Sequence, residues 1–169
     1  MPACTAANRV KDFIVMKHKL ILGLLAAALL LLAPLGSCNR DQPVLEPIPT
    51  GPVNAAINLS LPGYLYLQLP GSWAFLSGGH RGVVLVHDFN GEWYAFERTC
   101  AYQPTTACSV IQVDSNLLQL RCGTYQAGRF SPCCSSRYGF NGLPNGGPAP
   151  RGLGRYSVQK IGNMLYISN

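Results

Sequence analysis

An all-β domain is predicted for most of this chain by three observations. Apolar and polar residues alternate in short runs, Asn-Gly and Gly-Asn pairs sit between β-rich runs, and no sustained helical period follows Cys38. Ile57, Leu59 and Leu61 alternate with Asn58 and Ser60, and Leu65, Leu67 and Leu69 alternate with Tyr66 and Gln68. Both runs are expected as strands, punctuated by Pro62-Gly63 and Pro70-Gly71. Residues 83–89 and 92–96 flank Asn90-Gly91, a pair that favours the left-handed dihedrals of a tight hairpin turn. Residues 156–161 and 164–168 make a closing hairpin at Gly162-Asn163, and residues 110–113 and 117–121 make two short strands around Asp114-Ser115-Asn116. Turn signals at this spacing suit a domain of roughly eight to ten short strands.

The amino-terminal part reads differently. Lys17, His18 and Lys19 precede an apolar run over residues 20–32, then Ala33-Pro34 and the tetrapeptide Leu35-Gly36-Ser37-Cys38, a basic-then-apolar pattern typical of a secretory signal. The uninterrupted run is shorter than the ~20 residues a membrane-spanning helix needs. Leu-Gly-Ser-Cys has the form of a bacterial lipobox, and the resemblance to bacterial lipoproteins implies cleavage before Cys38 and lipidation of that cysteine. Met16 opens an ordinary signal, so translation is expected to start there rather than at Met1. Residues 38–54, with Pro43, Pro47, Pro49 and Pro52 and no apolar period, are expected as an extended, poorly ordered tether. Three segments result: leader and signal over 1–37, lipidated tether over 38–54, and a β domain over 55–169.

The formal charge of the whole chain is +6. Loss of residues 1–37 removes four cations (Arg9, Lys11, Lys17, Lys19) and one anion (Asp12), leaving +3. Lys160 is then the sole lysine and the arginines are scattered, so no phosphate-binding face is indicated and nucleic acid is excluded as a partner. Asp88, Glu92, Glu97 and Asp114 are the only acids in the predicted domain, and none is spaced against a histidine or serine base as hydrolysis would require.

Chemistry is concentrated in the cysteines. Beyond Cys38 there are five, Cys100, Cys108, Cys122, Cys133 and Cys134, an odd number that cannot all pair. In an oxidising compartment one or two disulfides with a thiol left over are expected, and spacing leaves their connectivity open. Adjacent side chains on an extended segment point to opposite faces, so Cys133 and Cys134 should find separate partners. Cys100, Cys122, Cys133 and Cys134 also form a candidate set of thiolate ligands for zinc or a 2Fe-2S cluster. No Cys-x-x-Cys pair is present, which weighs against that set and against a thiol-disulfide exchange centre at Cys133-Cys134.

Residues 131–149 carry the one segment built like a site: Ser131-Pro132-Cys133-Cys134, then Ser136, Arg137, Tyr138, Gly142 and the Gly147-Pro148-Ala149 corner. This run resembles the second cluster-binding loop of Rieske iron-sulfur domains, in particular the Rieske-like lipoproteins of Gram-negative bacteria. The resemblance extends over residues 83–167. It implies stacked small antiparallel sheets, with residues 100–108 and 131–149 close together at one end. The family binds its cluster through Cys-x-His in the first loop and Cys-x-x-His in the second. Here Cys100 keeps the first cysteine, Tyr102 replaces the first histidine, Ser131 stands at the second cysteine and Cys134 at the second histidine. An alternative register, with Cys122-Gly123-Thr124-Tyr125 as the second loop, leaves the Gly147-Pro148-Ala149 corner too far away. His80 and His87 both precede the first loop and are expected as surface or satisfied core residues. Arg137 and Tyr138 would anchor the loop, and Cys108 and Cys133 are the leading disulfide pair by analogy with respiratory Rieske proteins.

The resemblance thus implies a Rieske-like scaffold that has lost the standard 2Fe-2S ligation and acts as a binding or structural module at the cell envelope. Two alternatives accompany it, an electron carrier holding a 2Fe-2S cluster on cysteine-rich ligands and a cysteine-ligated zinc site. Tyr102 is a poor substitute for histidine, because a phenol must ionise from a pKa of about 10 before it binds a metal. The expected partner is the membrane, reached through lipidated Cys38, and Asn39 slightly favours the outer membrane. Replacing Cys38 with alanine should therefore move the protein from the membrane fraction to the soluble one. Retention of Cys38→Ala in membranes through high-salt and carbonate washes would overturn the anchor.

Overall fold

The computed structural model describes residues 45–169; the leader, the lipobox, Met16 and Cys38 lie outside the described residues. Ten strands follow in order: β1 (Asn54–Asn58), β2 (Trp73–Leu76), β3 (Val83–His87), β4 (Trp93–Glu97), β5 (Ile111–Asp114), β6 (Gln119–Gln126), β7 (Arg129–Tyr138), β8 (Pro144–Gly146), β9 (Arg155–Ile161) and β10 (Met164–Ser168). They form a six-stranded sheet in the order β1-β10-β9-β4-β3-β2 and a four-stranded sheet in the order β5-β6-β7-β8, with antiparallel pairing throughout. The described residues are all-β, as the sequence led one to expect, and pair throughout in antiparallel sheets.

Strand β3 explains how the two sheets share an interior. All five of its residues are buried. Val83 and Leu85 join a core with Ile57, Leu67, Trp93, Leu165 and Ile167, whereas Val84 and Val86 join a second core with Phe96, Ile111, Val113, Leu120 and Tyr138. A strand covered on both faces has no polar side to show, which is why Val-Val-Leu-Val appears without alternation. Cys100 and Cys122 belong to the second core. The thiols are thus rooted in packed apolar structure rather than in a loose loop.

Four sequence expectations are corrected, and one strand ends earlier than expected: of the run 57–61 only Ile57 and Asn58 lie in β1, and the Leu61 N–H turns back on Asn58 O at 3.2 Å. Residues 65–69, read as a strand, instead contain a 3-10 turn, Leu65–Gln68, with Leu67 N–H on Tyr64 O at 2.9 Å and Leu69 N–H on Tyr66 O at 3.2 Å. Only Leu67 reaches the core there, and with no strand pairing to it among the described residues, the backbone satisfies itself by i→i+3 bonds. At the first hairpin Gly91 alone takes a positive φ, +84°. Asp88 accepts the backbone N–H groups of Asn90 and Glu92 at 2.9 and 2.8 Å, so the connection is a three-residue loop closed by glycine, not a two-residue turn.

The third correction concerns residues 131–149. Half of that stretch is strand, because β7 runs from Arg129 to Tyr138 and pairs with β6 through a turn at Ala127 (φ +48°) and Gly128 (φ +77°). Ala-Gly is not among the usual hairpin pairs, and the strain of a left-handed alanine conceals the turn from sequence. Fourth, the stretch expected as free tether already lies on the domain before β1. Val53 is buried, its N–H meets Asn169 Oδ1 at 2.6 Å, and Pro52 O accepts the Gly79 N–H at 3.1 Å.

One buried carboxylate positions the start of the first cysteine loop. Glu97 is fully buried and accepts the backbone N–H groups of His80 (2.6 Å) and Arg81 (2.9 Å), the Thr99 hydroxyl (3.1 Å) and the Tyr156 hydroxyl (2.8 Å). Burial, reinforced by the hydrogen bond to Glu97, raises the Tyr156 pKa. Four donors on one anion make a costly group tolerable inside the fold.

Gly147 is the second fixed point. Its φ is +82°, and a Cβ there would stand 2.3 Å from Ser135 O and 2.5 Å from Ser136 N. The Gly147-Pro148-Ala149 corner therefore presses directly on the backbone of β7. Gly147→Ala should lower unfolding stability by about 2 kcal/mol or more, since it adds left-handed strain to a backbone clash. Urea denaturation measures this, and an unchanged midpoint would show that the corner does not brace the strand.

Candidate functional site

The site is made by a mismatch between β6 and β7. Arg121 pairs with Arg137, but the next pair in the opposite direction is Gly123 with Pro132. Four residues, Cys133 to Ser136, thus stand opposite Cys122 alone, and the excess chain bulges. Gly123 permits this: a Cβ on it would lie 2.4 Å from Ser131 O and 2.9 Å from Pro132 Cα.

The bulge sends its two cysteines to different partners. Cys133 is disulfide-bonded to Cys108 at the end of the first loop. Cys134 lies with its Sγ 4.0 Å from Cys100 Sγ and 3.2 Å from the Ser136 hydroxyl. Cys122 completes the group, and the Sγ atoms of Cys100, Cys122 and Cys134 all lie within 4.8 Å of one another. Cys133 is thereby removed from the proposed set of four ligands, because its sulfur is bonded to Cys108. The first loop is closed behind Cys100 by Cys100 N–H on Ser109 O at 3.0 Å and by the Ser109 hydroxyl on Tyr102 O at 2.8 Å. Segments 100–108 and 131–149 therefore meet at one end of the domain.

Tyr138 contributes more than loop anchoring. Its ring is fully buried, and its hydroxyl accepts the Ala101 N–H at 3.2 Å and lies 3.3 Å from Cys100 Sγ. One phenol thus ties β7 to the first loop and offers its proton to a thiolate. The hydrogen bond from Cys122 is the main cause that brings Cys100 down to about 5, against the opposing cost of burial and with help from Tyr138. The same hydrogen bond pushes the Cys122 thiol up, and burial does the same to Tyr138. Cys100 is thus favoured as the thiolate over Cys122. Sequence pattern singled out Tyr138 as an anchor but carried no signal that it faces Cys100, since the two are 38 positions apart.

Neither histidine of the described residues joins the cluster. His87 is buried with Nδ1 3.0 Å from Leu67 O and its ring stacked on Trp93 at 4.1 Å, while His80 is exposed on the turn held by Glu97. Of the acids, Asp88 holds the first hairpin, and Asp114 meets Arg121 at 2.8 Å. Cys134 is the half-buried member of the thiol group, and a cleft of about 300 Å³ opens over it, bordered by Arg121, Pro132, Ser135, Ser136 and Arg137.

No family model and no curated protein matches this chain. Among solved structures, one that matches is the ferredoxin of carbazole 1,9a-dioxygenase from Nocardioides aromaticivorans IC177. It is 19% identical, with a TM-score of 0.43, and 69% of this chain and 95% of that chain are covered.

Because the Tyr138 hydroxyl favours the charged form of Cys100, its removal should raise the pKa of that thiol. In metal-free Tyr138→Phe the Cys100 thiolate absorbance should be lost at higher pH than in the parent. Loss of the acceptor for Ala101 N–H should also cost about 1–2 kcal/mol. A thiolate titration superimposable on that of the parent would remove Tyr138 from the site.

Proposed function

We propose that this chain is a lipid-anchored cell-envelope protein whose Rieske-like domain has lost the standard 2Fe-2S ligation. It serves instead as a binding module that takes one thiophilic metal ion on Cys100, Cys122 and Cys134. The observation that carries this is the convergence of the three Sγ atoms within 4.8 Å of one another. Thiolates bound tetrahedrally to one zinc at about 2.3 Å stand about 3.8 Å apart, so a contraction of at most about 1 Å closes the set on a single ion.

The group that the scaffold resembles is a poor fit. A mixed 2Fe-2S centre uses two cysteines on one iron and two histidines on the other. Here Tyr102 and Cys134 stand at the histidine positions, His87 is engaged with Leu67 and Trp93, and Cys133 is spent in the disulfide. Three donors converging on one point suit a single ion, whereas a two-iron cluster needs two donors on each of two irons. Soft thiolates favour zinc or monovalent copper. A three-thiolate zinc site leaves a fourth position, and the half-exposed Cys134 puts that position on the cleft side.

The envelope location rests on Leu35-Gly36-Ser37-Cys38 behind its basic-then-apolar leader. The Cys108–Cys133 disulfide accords with it, because such bonds persist in oxidising compartments. An electron carrier with a cysteine-rich cluster is the competing proposal, and it would need a fourth ligand from outside the three thiols.

Metal titration separates these. The metal-free protein should take up about one equivalent of zinc or monovalent copper with a thiolate-to-metal charge-transfer band, and alanine at Cys100, Cys122 or Cys134 should weaken binding at least tenfold. Stoichiometric iron with acid-labile sulfide in anaerobically purified protein would refute the single-ion site.

A further inference from the structure

The cleft over Cys134 is charged in a way that the metal site does not require. Arg121 and Arg137 are direct cross-strand partners on β6 and β7, an arrangement in which like charges ordinarily destabilise a sheet. Arg121 is balanced by Asp114 at 2.8 Å and stacks on Phe130 at 4.1 Å. Arg137 has no carboxylate partner among the described residues, is exposed, and lies over Gly146. Both border the cleft, and of the three clustered thiols only Cys134 does. Directly behind it is Cys100 Sγ at 4.0 Å, fully buried.

The geometry points to a thiol-disulfide exchange site for small anionic disulfides, with Cys134 as the attacking thiol and Cys100 as the resolving one. Arg137 and Arg121 attract the carboxylates of the incoming molecule, and a cleft of about 300 Å³ admits a small peptide disulfide. Cys134, as thiolate, attacks one sulfur; a Cys134–substrate disulfide forms, the substrate's own S–S bond breaks, and the leaving thiolate takes up a proton. Cys100 then attacks Cys134 Sγ, forms the Cys100–Cys134 bond and expels the second substrate thiol, which gains a proton in turn. Two cysteines lose two electrons and two protons, and one disulfide becomes two thiols. The sulfurs need approach by only about 2 Å to reach bonding distance. Cys-x-x-Cys is absent from the sequence, but the bulge in β7 supplies through space the pair that such a motif supplies along the chain. The exchange does not rest on metal binding; it is a reaction of the metal-free protein and would consume two of the three proposed ligands.

The test treats reduced, metal-free full chain, with Cys108–Cys133 retained, with oxidised glutathione as the anionic disulfide and cystamine as the cationic one, followed by mass spectrometry with peptide mapping. The parent should end with a Cys100–Cys134 disulfide and two equivalents of released glutathione, and Cys100→Ser should stop as a glutathione adduct on Cys134. Arg137→Gln should slow the reaction with oxidised glutathione about fivefold and should not slow that with cystamine, whose own positive charge Arg137 repels. A persistent adduct on Cys134 in the parent, or first attack by Cys122, would overturn the pair. Rates with glutathione that ignore Arg137 would overturn the anion site. All of these are read on the parent or on a surface variant, so they stand if Cys100→Ser fails to fold. None depends on whether the cluster binds metal.

Discussion

Four residues of β7 face one residue of β6, and the chemistry of the domain depends on that inequality. Had the strands kept register beyond Arg121 and Arg137, residues 133–136 would have lain flat along β6 in ordinary pairs. Instead the surplus chain arches over Cys122, turning Cys133 toward Cys108 and Cys134 toward Cys100. Such an arch is held only if something braces it from both sides. The Cys108–Cys133 bond ties it to the first loop, and Gly147 packs against its backbone from the other. Tyr138, at the point where regular pairing resumes, carries the connection into the second core.

The thiol group sits at the margin of that core, and its position there determines its reactivity. Cys100 and Cys122 have almost no exposure, so neither could hold a charge without donors close by. The donors are supplied by the fold: the neighbouring thiol and a phenol that also accepts a backbone N–H. Glu97 does for the residues just before the first loop what Tyr138 does for its first two residues. Its four hydrogen bonds hold the preceding turn, β9 and Thr99 in a fixed relation to Cys100. The proposed metal ligation and disulfide exchange both draw on the same small region, because there Cys134, 4.0 Å from buried Cys100, borders an arginine-lined opening.

Much of the fold was legible residue by residue. The hairpin at Gly162-Asn163 follows from a glycine that takes φ +58° at the first position of a two-residue loop, with Ile161 opposite Met164. The unbroken apolar run of β3 was equally plain, whereas the alternation read over residues 57–61 outran β1, which ends at Asn58. What misled was local pattern without a partner: Leu65, Leu67 and Leu69 alternate well, yet no described strand pairs with them. The β6–β7 hairpin was hidden because its turn rests on Ala127, a residue with no preference for the left-handed region that it occupies.

Alone, the sequence determined the β class, the segments where chemistry gathers, and the basic-then-apolar pattern that ends at Cys38, for these depend on period, composition and motif over a few neighbouring residues. The family resemblance put Cys108 and Cys133 forward as partners, but spacing left them among several candidates. Only the tertiary structure decided that Cys122, on a regular strand and outside either expected loop, faces Cys100 and Cys134, and that Cys133 is bonded elsewhere. The reason is register. A strand's side chains reverse face with each residue, so one bulge of uncounted length decides which sulfurs meet, and nothing in the order of residues states how long that bulge is.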